Sequence, residues 1–408
     1  MNFELWWLLA IPLVFAFGWA AARIDVRQML SEQGALPRSY FKGLNFLLNE
    51  QPDKAIDAFI EVARLDPETV ELHFALGSLF RRRGETERAI RVHQNLVNRP
   101  DLPASERDHA LYELGQDFLR AGMLDRAEES LKLLMAGEYA VPAKRVLLEL
   151  YQVEKEWRKA IDAARELREA SPDDGLTQQI AQFCCELAQE CIGAKKPEEA
   201  VQWLQQALAE NPANVRANIL LGDVAAGMGK PDEALQRWKS IEQQNAAYLP
   251  LVAERVMQAS VATGDAEGGL GWLRRQLGSR LGGELLDVAY KYERELAGTP
   301  AALDQMRQQM RRQPSFAALT KVYEAEVELA TAASATVESQ PDAAAVASED
   351  LVVARDLLKQ RTRNLARYTC HECGFRARLF YWQCPGCNRW ETYAPRRAEV
   401  AASGGASM

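Results

Sequence analysis

"ALGSLFRRRGETERAIRVHQNLVNRP", residues 75–100, sets a small residue (Gly77) in one apolar-periodic run and another (Ala89) in the next, with Gly84 between the two runs. The upstream stretch "YFKGLNFLLNEQPDKAIDAFIEVARLDP", residues 40–67, repeats the arrangement: Gly43 and Gly77 are 34 residues apart, and so are Ala55 and Ala89. The same pair returns as Gly115/Ala127 in "ELGQDFLRAGMLDRAEESL" and Gly222/Ala234 in "LLGDVAAGMGKPDEALQRW". Less complete copies centre on Ala160, Ala200 and Gly269, and a weak eighth on Ala302. Pro67, Pro172, Pro212 and Pro314 each fall twelve residues after the signature alanine of their copy. A fixed period of this length signals a repeat architecture.

The pattern is tetratricopeptide-like, and its physics is simple. Each unit is two antiparallel helices, and small residues are needed where the helices cross. Larger apolar residues such as Leu44, Phe59, Leu76 and Leu114 fill the interface to the next unit. Gly84, Gly122 and Gly229 end first helices, where a left-handed residue is cheap. Single units cannot bury their apolar face alone, so they stack into a superhelix with a long groove for a partner. The expected fold class is therefore an all-α tetratricopeptide solenoid.

No catalytic pattern emerges from the repeats: there is no phosphate loop, nucleophile elbow or His-Glu-x-x-His. His93 falls at a core position and reads as a packed histidine. Arg81, Arg82 and Arg83 read as a solvated run matched to a helix C-terminus. Cys184, Cys185 and Cys191 lack ligand spacing and read as buried free thiols.

At the start of the chain, "LWWLLAIPLVFAFGWAAA" (5–22) is uncharged. Eighteen helical residues span about 27 Å, near the roughly 30 Å hydrocarbon core. Trp6, Trp7 and Trp19 mark its ends. The preceding "MNFE" lacks the basic region of a cleaved signal peptide, so a retained anchor is expected. Arg23 and Arg27 place the rest of the chain in the cytoplasm by the positive-inside bias.

At the other end, "YTCHECGFRARLFYWQCPGCNRWETY" (368–393) holds two Cys-x-x-Cys pairs. On the cytoplasmic side disulfides are disfavoured, and Cys370, Cys373, Cys384 and Cys387 read as four thiolate ligands of one metal. Zinc in a closed structural site is preferred; iron takes the same ligands and remains the competitor. Tyr368, Phe375, Tyr381, Trp382, Trp390 and Tyr393 are the expected small core, and His371 is not expected to coordinate. Residues 355–397 carry ten Lys and Arg against three acids, hence +7; the whole chain is −8, which leaves −15 elsewhere. That split, together with more aromatic residues than so small a module can bury, predicts a basic ribbon docked on acidic repeats with some of its aromatic residues facing that surface.

The expected organisation is an anchor (1–22), a juxtamembrane segment (23–35), the repeat array (36–330), a flexible small-residue linker (331–350), a helix (351–367), the zinc ribbon (368–395) and a disordered tail (396–408). Anchor, repeats and terminal knuckles in this order resemble the lipopolysaccharide assembly protein B family of Gram-negative bacteria. The most specific stretches are "GLNFLLNEQPDKAIDAF", "LGSLFRRRGETERAIRVHQNL" and the cysteine segment; the Ala-rich linker departs from the family. The resemblance implies a non-enzymatic inner-membrane adaptor facing the cytoplasm. It further implies a membrane-bound AAA+ zinc protease as partner, the lipid A pathway deacetylase as client, and contacts with other inner-membrane lipopolysaccharide proteins. Two other readings stand beside it: a rubredoxin-like electron-transfer module, and an RNA-binding zinc ribbon motivated by the +7 segment. Overall the chain lacks the basic footprint of a nucleic-acid binder.

Overall fold

The computed structural model describes residues 42–43, 45–46, 49, 51–65, 69–134, 136–171, 174–278, 285–336, 341–363 and 368–393. The expected anchor (1–22), the juxtamembrane segment, Leu44 and the tail from 396 lie outside them. Among the described residues no helix is long and apolar enough to cross a membrane. The chain divides into two compact units, Met1–Val153 and Glu154–Met408.

The first unit contains α1 (Pro52–Leu65), α2 (Val70–Arg82), α3 (Thr86–Val97), α4 (Ala104–Arg120), α5 (Leu124–Lys132) and α6 (Ala140–Glu154). Consecutive helices pack as pairs, and the repeat signature explains why. Ala55, Ala89 and Ala127 are wholly buried. A Cβ added at Gly43 would lie 2.5 Å from the Phe59 ring, and one at Gly115 2.6 Å from Leu131 Cγ. Any side chain at these points would push the paired helices apart. Gly84 and Gly122 turn the chain with φ of +79° and +73°.

His93 is buried as expected, but it is not merely packed. Its Nδ1 lies 2.5 Å from Asp117 Oδ2, and Asp117 Oδ1 accepts from Arg81 Nη1 at 2.8 Å. Arg81 also pairs with Glu113. The solvated reading of the arginine run is thus corrected for Arg81, whose side chain bridges two helices that periodicity alone does not bring together. Arg83 pairs with Asp53 and Glu85, and Arg82 is exposed.

The second unit begins with α7 (Trp157–Ala170), α8 (Asp174–Gly193), α9 (Pro197–Glu210), α10 (Val215–Gly227) and α11 (Pro231–Asn245). A 3-10 turn (Ala246–Leu251) leads to α12 (Ala253–Ala262), α13 (Ala266–Leu277), α14 (Leu286–Ala297) and α15 (Thr299–Arg312). Ala160, Ala200, Ala234 and Ala302 are wholly buried, so even the weak eighth copy is a helix pair. Cys184 and Cys185 are buried, and burial pushes both thiols up to about 12. Cys191 is only partly buried, contrary to expectation.

Lys195 holds the left-handed turn between α8 and α9 at φ +58°, as Lys155 does between α6 and α7 at φ +59°, where four other repeats use Gly84, Gly122, Gly229 and Gly264. An L side chain pays roughly 1–2 kcal/mol there. Lys195→Gly should therefore stabilise the protein by about 1 kcal/mol after the extra chain entropy of glycine, read as a rise in the denaturant midpoint. An unchanged or lowered midpoint would show that the lysine side chain contributes more than its backbone costs.

The array does not stop at 330. Residues 331–336 complete α16 (Phe316–Thr336), and 341–350 open α17 (Pro341–Arg363), which packs on α16. The flexible-linker expectation is corrected for these residues. Alanine is the best helix former, so an Ala-rich run beside a packing partner extends a helix. After α17 come β1 (Tyr368–Thr369) and β2 (Arg376–Ala377), antiparallel, with Tyr368 opposite Ala377.

Candidate metal centre and its seat on the repeats

The β1–β2 hairpin presents the first knuckle. The Cys370 amide donates to the Phe375 carbonyl (2.9 Å) and Gly374 N donates to the Cys370 carbonyl (3.0 Å), with Gly374 at φ +74°. The second knuckle copies this with Cys384 N to Arg389 O and Asn388 N to Cys384 O, both 2.8 Å, and Asn388 at φ +57°. The turns bring the Sγ atoms of Cys370, Cys373, Cys384 and Cys387 within 4.8 Å of one another.

Cys370 Sγ lies 3.8 Å from Cys387 Sγ, and Cys373 Sγ 3.6 Å from Cys384 Sγ. Tetrahedral thiolates about 2.3 Å from a zinc ion stand about 3.8 Å apart, so the four sulfurs fit such an ion. Disulfide bonding would need about 2.05 Å. Burial works against the Cys384 thiolate, but hydrogen bonds from Tyr393 Oη (3.5 Å) and from the Cys387 and Gly386 amides overcome it and lower its pKa. His371 is exposed and outside the four-sulfur cluster.

The ribbon's own core is smaller than expected: Tyr393 is buried inside it, whereas Phe375 and Tyr381 are exposed. The tryptophans serve the repeats. Trp390 meets Trp157 and Phe183 edge-on at 6.2 and 6.1 Å. Trp382 stacks on Tyr248 at 5.4 Å with the rings 10° apart, and Phe380 meets Tyr248 edge-on. Between the two tryptophans stands Arg216 of α10, its Cζ 5.7 Å from each ring. Arg216 is itself fixed by Gln182 Oε1 (3.1 Å), Glu186 (2.8 Å) and Gln189 (2.5 Å), all on α8.

Beside it, the Glu391 carboxylate accepts from the side-chain amides of Gln178 and Gln182. Glu391 sits at φ +55°, a conformation disfavoured for any residue but glycine. Burial raises its pKa, against the pull of the two amides and of Arg216. Docking of the ribbon was legible in the charge split, but its mechanism was not. At this seam the ribbon supplies the anion and the repeats the cation, the reverse of the bulk charges. Trp390 is buried and Trp382 partly buried, and both rings are engaged by aromatic residues of the repeats.

Nothing in the sequence singled out Gln178, Gln182, Arg216, Tyr248 or Glu391. One usable signal exists: Gln182 and Arg216 both stand six residues before the small residue of their first helix (Ala188, Gly222).

The chain matches the family model described as a rubredoxin metal binding domain over residues 368–395. Tetratricopeptide repeat models match residues 42–102 and 192–254. It is 32% identical over 391 residues to lipopolysaccharide assembly protein B of Escherichia coli (strain K12), covering 95% of this chain and 97% of the relative. The protein of the same name from Haemophilus influenzae is 29% identical over 401 residues, with the same shares covered. Among solved structures, MamA is 19% identical with a TM-score of 0.32, spanning 45% of this chain and 94% of that one.

Proposed function

This chain belongs to the lipopolysaccharide assembly protein B family, and from that membership we propose that it is a non-enzymatic adaptor in the control of lipopolysaccharide synthesis. The observation that carries this reading is that the likeness runs over 95% of the chain, so that repeats and metal ribbon are matched together. In the proposed mechanism the repeats hold protein partners, and the chain brings the lipid A pathway deacetylase to a membrane-bound AAA+ protease. Other inner-membrane lipopolysaccharide proteins are further partners. Residues 1–22 anchor it in the inner membrane with the repeats in the cytoplasm, which raises the local concentration of client and protease.

The metal is zinc in a structural role. Four thiolates fill a tetrahedral shell and leave no position for a substrate, and the ion supplies the folding energy that so small a module lacks. Purified protein should be colourless and contain about one zinc per chain; a visible iron spectrum would favour the electron-transfer reading. In cells lacking the chain, deacetylase abundance should rise several-fold and return to normal with the full chain. Removal of residues 1–22 should give a folded form that fails to restore it. Unchanged deacetylase in the deletion sinks the adaptor reading.

A further inference from the structure

Six residues before the small residue of the first helix, four of the repeats carry Glu71, His109, Gln182 and Arg216. In the second unit this position receives the ribbon. In the first unit the corresponding face is aromatic. Phe74 of α2 stacks on His109 of α4 at 3.9 Å, His109 on Tyr139 at 5.1 Å with 12° between the rings, and Tyr139 meets Tyr112 at 5.4 Å. His109, Tyr112 and Tyr139 are each partly exposed.

Carboxylates lie beside these rings: Glu113 Oε1 is 3.8 Å from His109 Nε2, Glu106 stands one turn before His109 on α4, and Glu138 adjoins Tyr139 in the chain. Burial and then Glu113 push the Tyr112 hydroxyl up, with Glu149 adding to it and Arg81 opposing. Burial, then Glu138, Glu106 and Glu113, push the Tyr139 hydroxyl up. The one cation acting on Tyr112, Arg81, is already committed to Glu113 and Asp117. The face therefore combines the negative faces of aromatic rings with a rim of acids.

We propose that the surface formed by His109, Tyr112 and Tyr139, rimmed by Glu106 and Glu138, is the docking site for a lysine- or arginine-bearing segment of a protein partner. A cation over a ring is attracted by the ring quadrupole, and nearby carboxylates add to it. The chain uses the same chemistry internally in this unit, with Arg88 over Phe80 at 4.0 Å and Arg126 over Phe118 at 4.2 Å. An acidic peptide, a nucleic acid or an anionic lipid surface would meet the rim with like charge. The inference rests on the adaptor reading only in taking the occupant to be a protein.

The test uses the purified full chain and a fluorescein-labelled dodecapeptide of alternating Arg and Ala, read by anisotropy, with the Glu–Ala peptide as control. The Arg peptide should bind the wild type and Y112F/Y139F, which keeps the rings. Binding should weaken at least about ten-fold in Y112S/Y139S and in E106Q/E138Q, and the Glu peptide should not bind. Should Y112S/Y139S fail to melt like the wild type, the exposed-side pair E106Q/E138Q decides alone. Absence of binding to the wild type overturns the proposal, as does equal binding by all variants. The adaptor reading fails separately, through the deacetylase level in cells lacking the chain, which peptide binding does not touch.

Discussion

Replacing Cys370 and Cys373 together by serine should remove the metal and release the ribbon, while leaving the helical content almost intact. Two of four thiolates are gone, and a closed thiolate site carries the folding energy of such a module. The ribbon contributes only the two-residue strands β1 and β2 to the regular structure, so far-ultraviolet circular dichroism should change little. The helices should nevertheless lose stability. Phe380 and Trp382 pack against the main core of the second unit, and Trp390 against Trp157 and Phe183. Burying a large side chain contributes about 1.5–3 kcal/mol, and a loss of that order lowers the melting temperature by roughly 3–6 °C in a unit of this size. Metal content, circular dichroism and melting of the same variant check this. Metal loss with an unchanged melting temperature would mean that the seam contributes nothing to the repeats. Collapse of the helical signal would make the ribbon a required cap.

The second large effect is expected at Arg216. Its guanidinium is buried, bonded to Gln182, Glu186 and Gln189, and placed between Trp382 and Trp390. Arg216→Ala strands these acceptors and leaves Glu391 without its cation; breaking a buried pair in this way costs about 3–5 kcal/mol. Arg216→Lys keeps the charge but not the planar fork, and should rescue only in part. Both variants keep all four cysteines, so the metal should stay while the ribbon lifts. Hydrogen exchange should rise in the N-terminal turns of α8 and α10 and in residues 380–393, with metal content unchanged.

The pH dependence of this variant has a definite sign. Glu391 has a raised folded pKa, so its contribution to docking is full below the ordinary carboxylate pKa of about 4.3 and falls as pH rises through the folded value. Losing Arg216 raises that value further, so mild acid should partly restore docking in Arg216→Ala. Protection of α8, α10 and the ribbon identical to wild type at neutral pH would remove Arg216 from the seam.

The helix pairs were legible because their cause is local. Gly77, Gly115 and Gly222 recur where two helices must touch, and glycines such as Gly84, Gly122 and Gly229 at most of the left-handed turns between helices, with Lys155 and Lys195 the exceptions, so period and position are largely written in one dimension. The gathering of the four cysteines was legible for the same reason: a knuckle is a five-residue turn, and Cys-x-x-Cys with a following glycine or asparagine is nearly its whole description. The helix at 331–336 and the one opening at 341–350 were missed because small side chains give no amphipathic stripe, although alanine favours helix.

Sequence alone thus determined the repeating unit, most of its turn geometry and which four cysteines come together, all set by contacts between residues close along the chain. Only the tertiary structure decided where the ribbon's tryptophans go, why Glu391 is held in a left-handed turn, and that Arg81 and Arg216 are structural partners and not solvated charges. These depend on side chains 30 to more than 200 positions apart, whose approach follows from stacking many helix pairs. No local pattern records that stacking, and one-dimensional charge counting even predicted the wrong sign for the seam, because a few desolvated contacts outweigh the screened bulk charge.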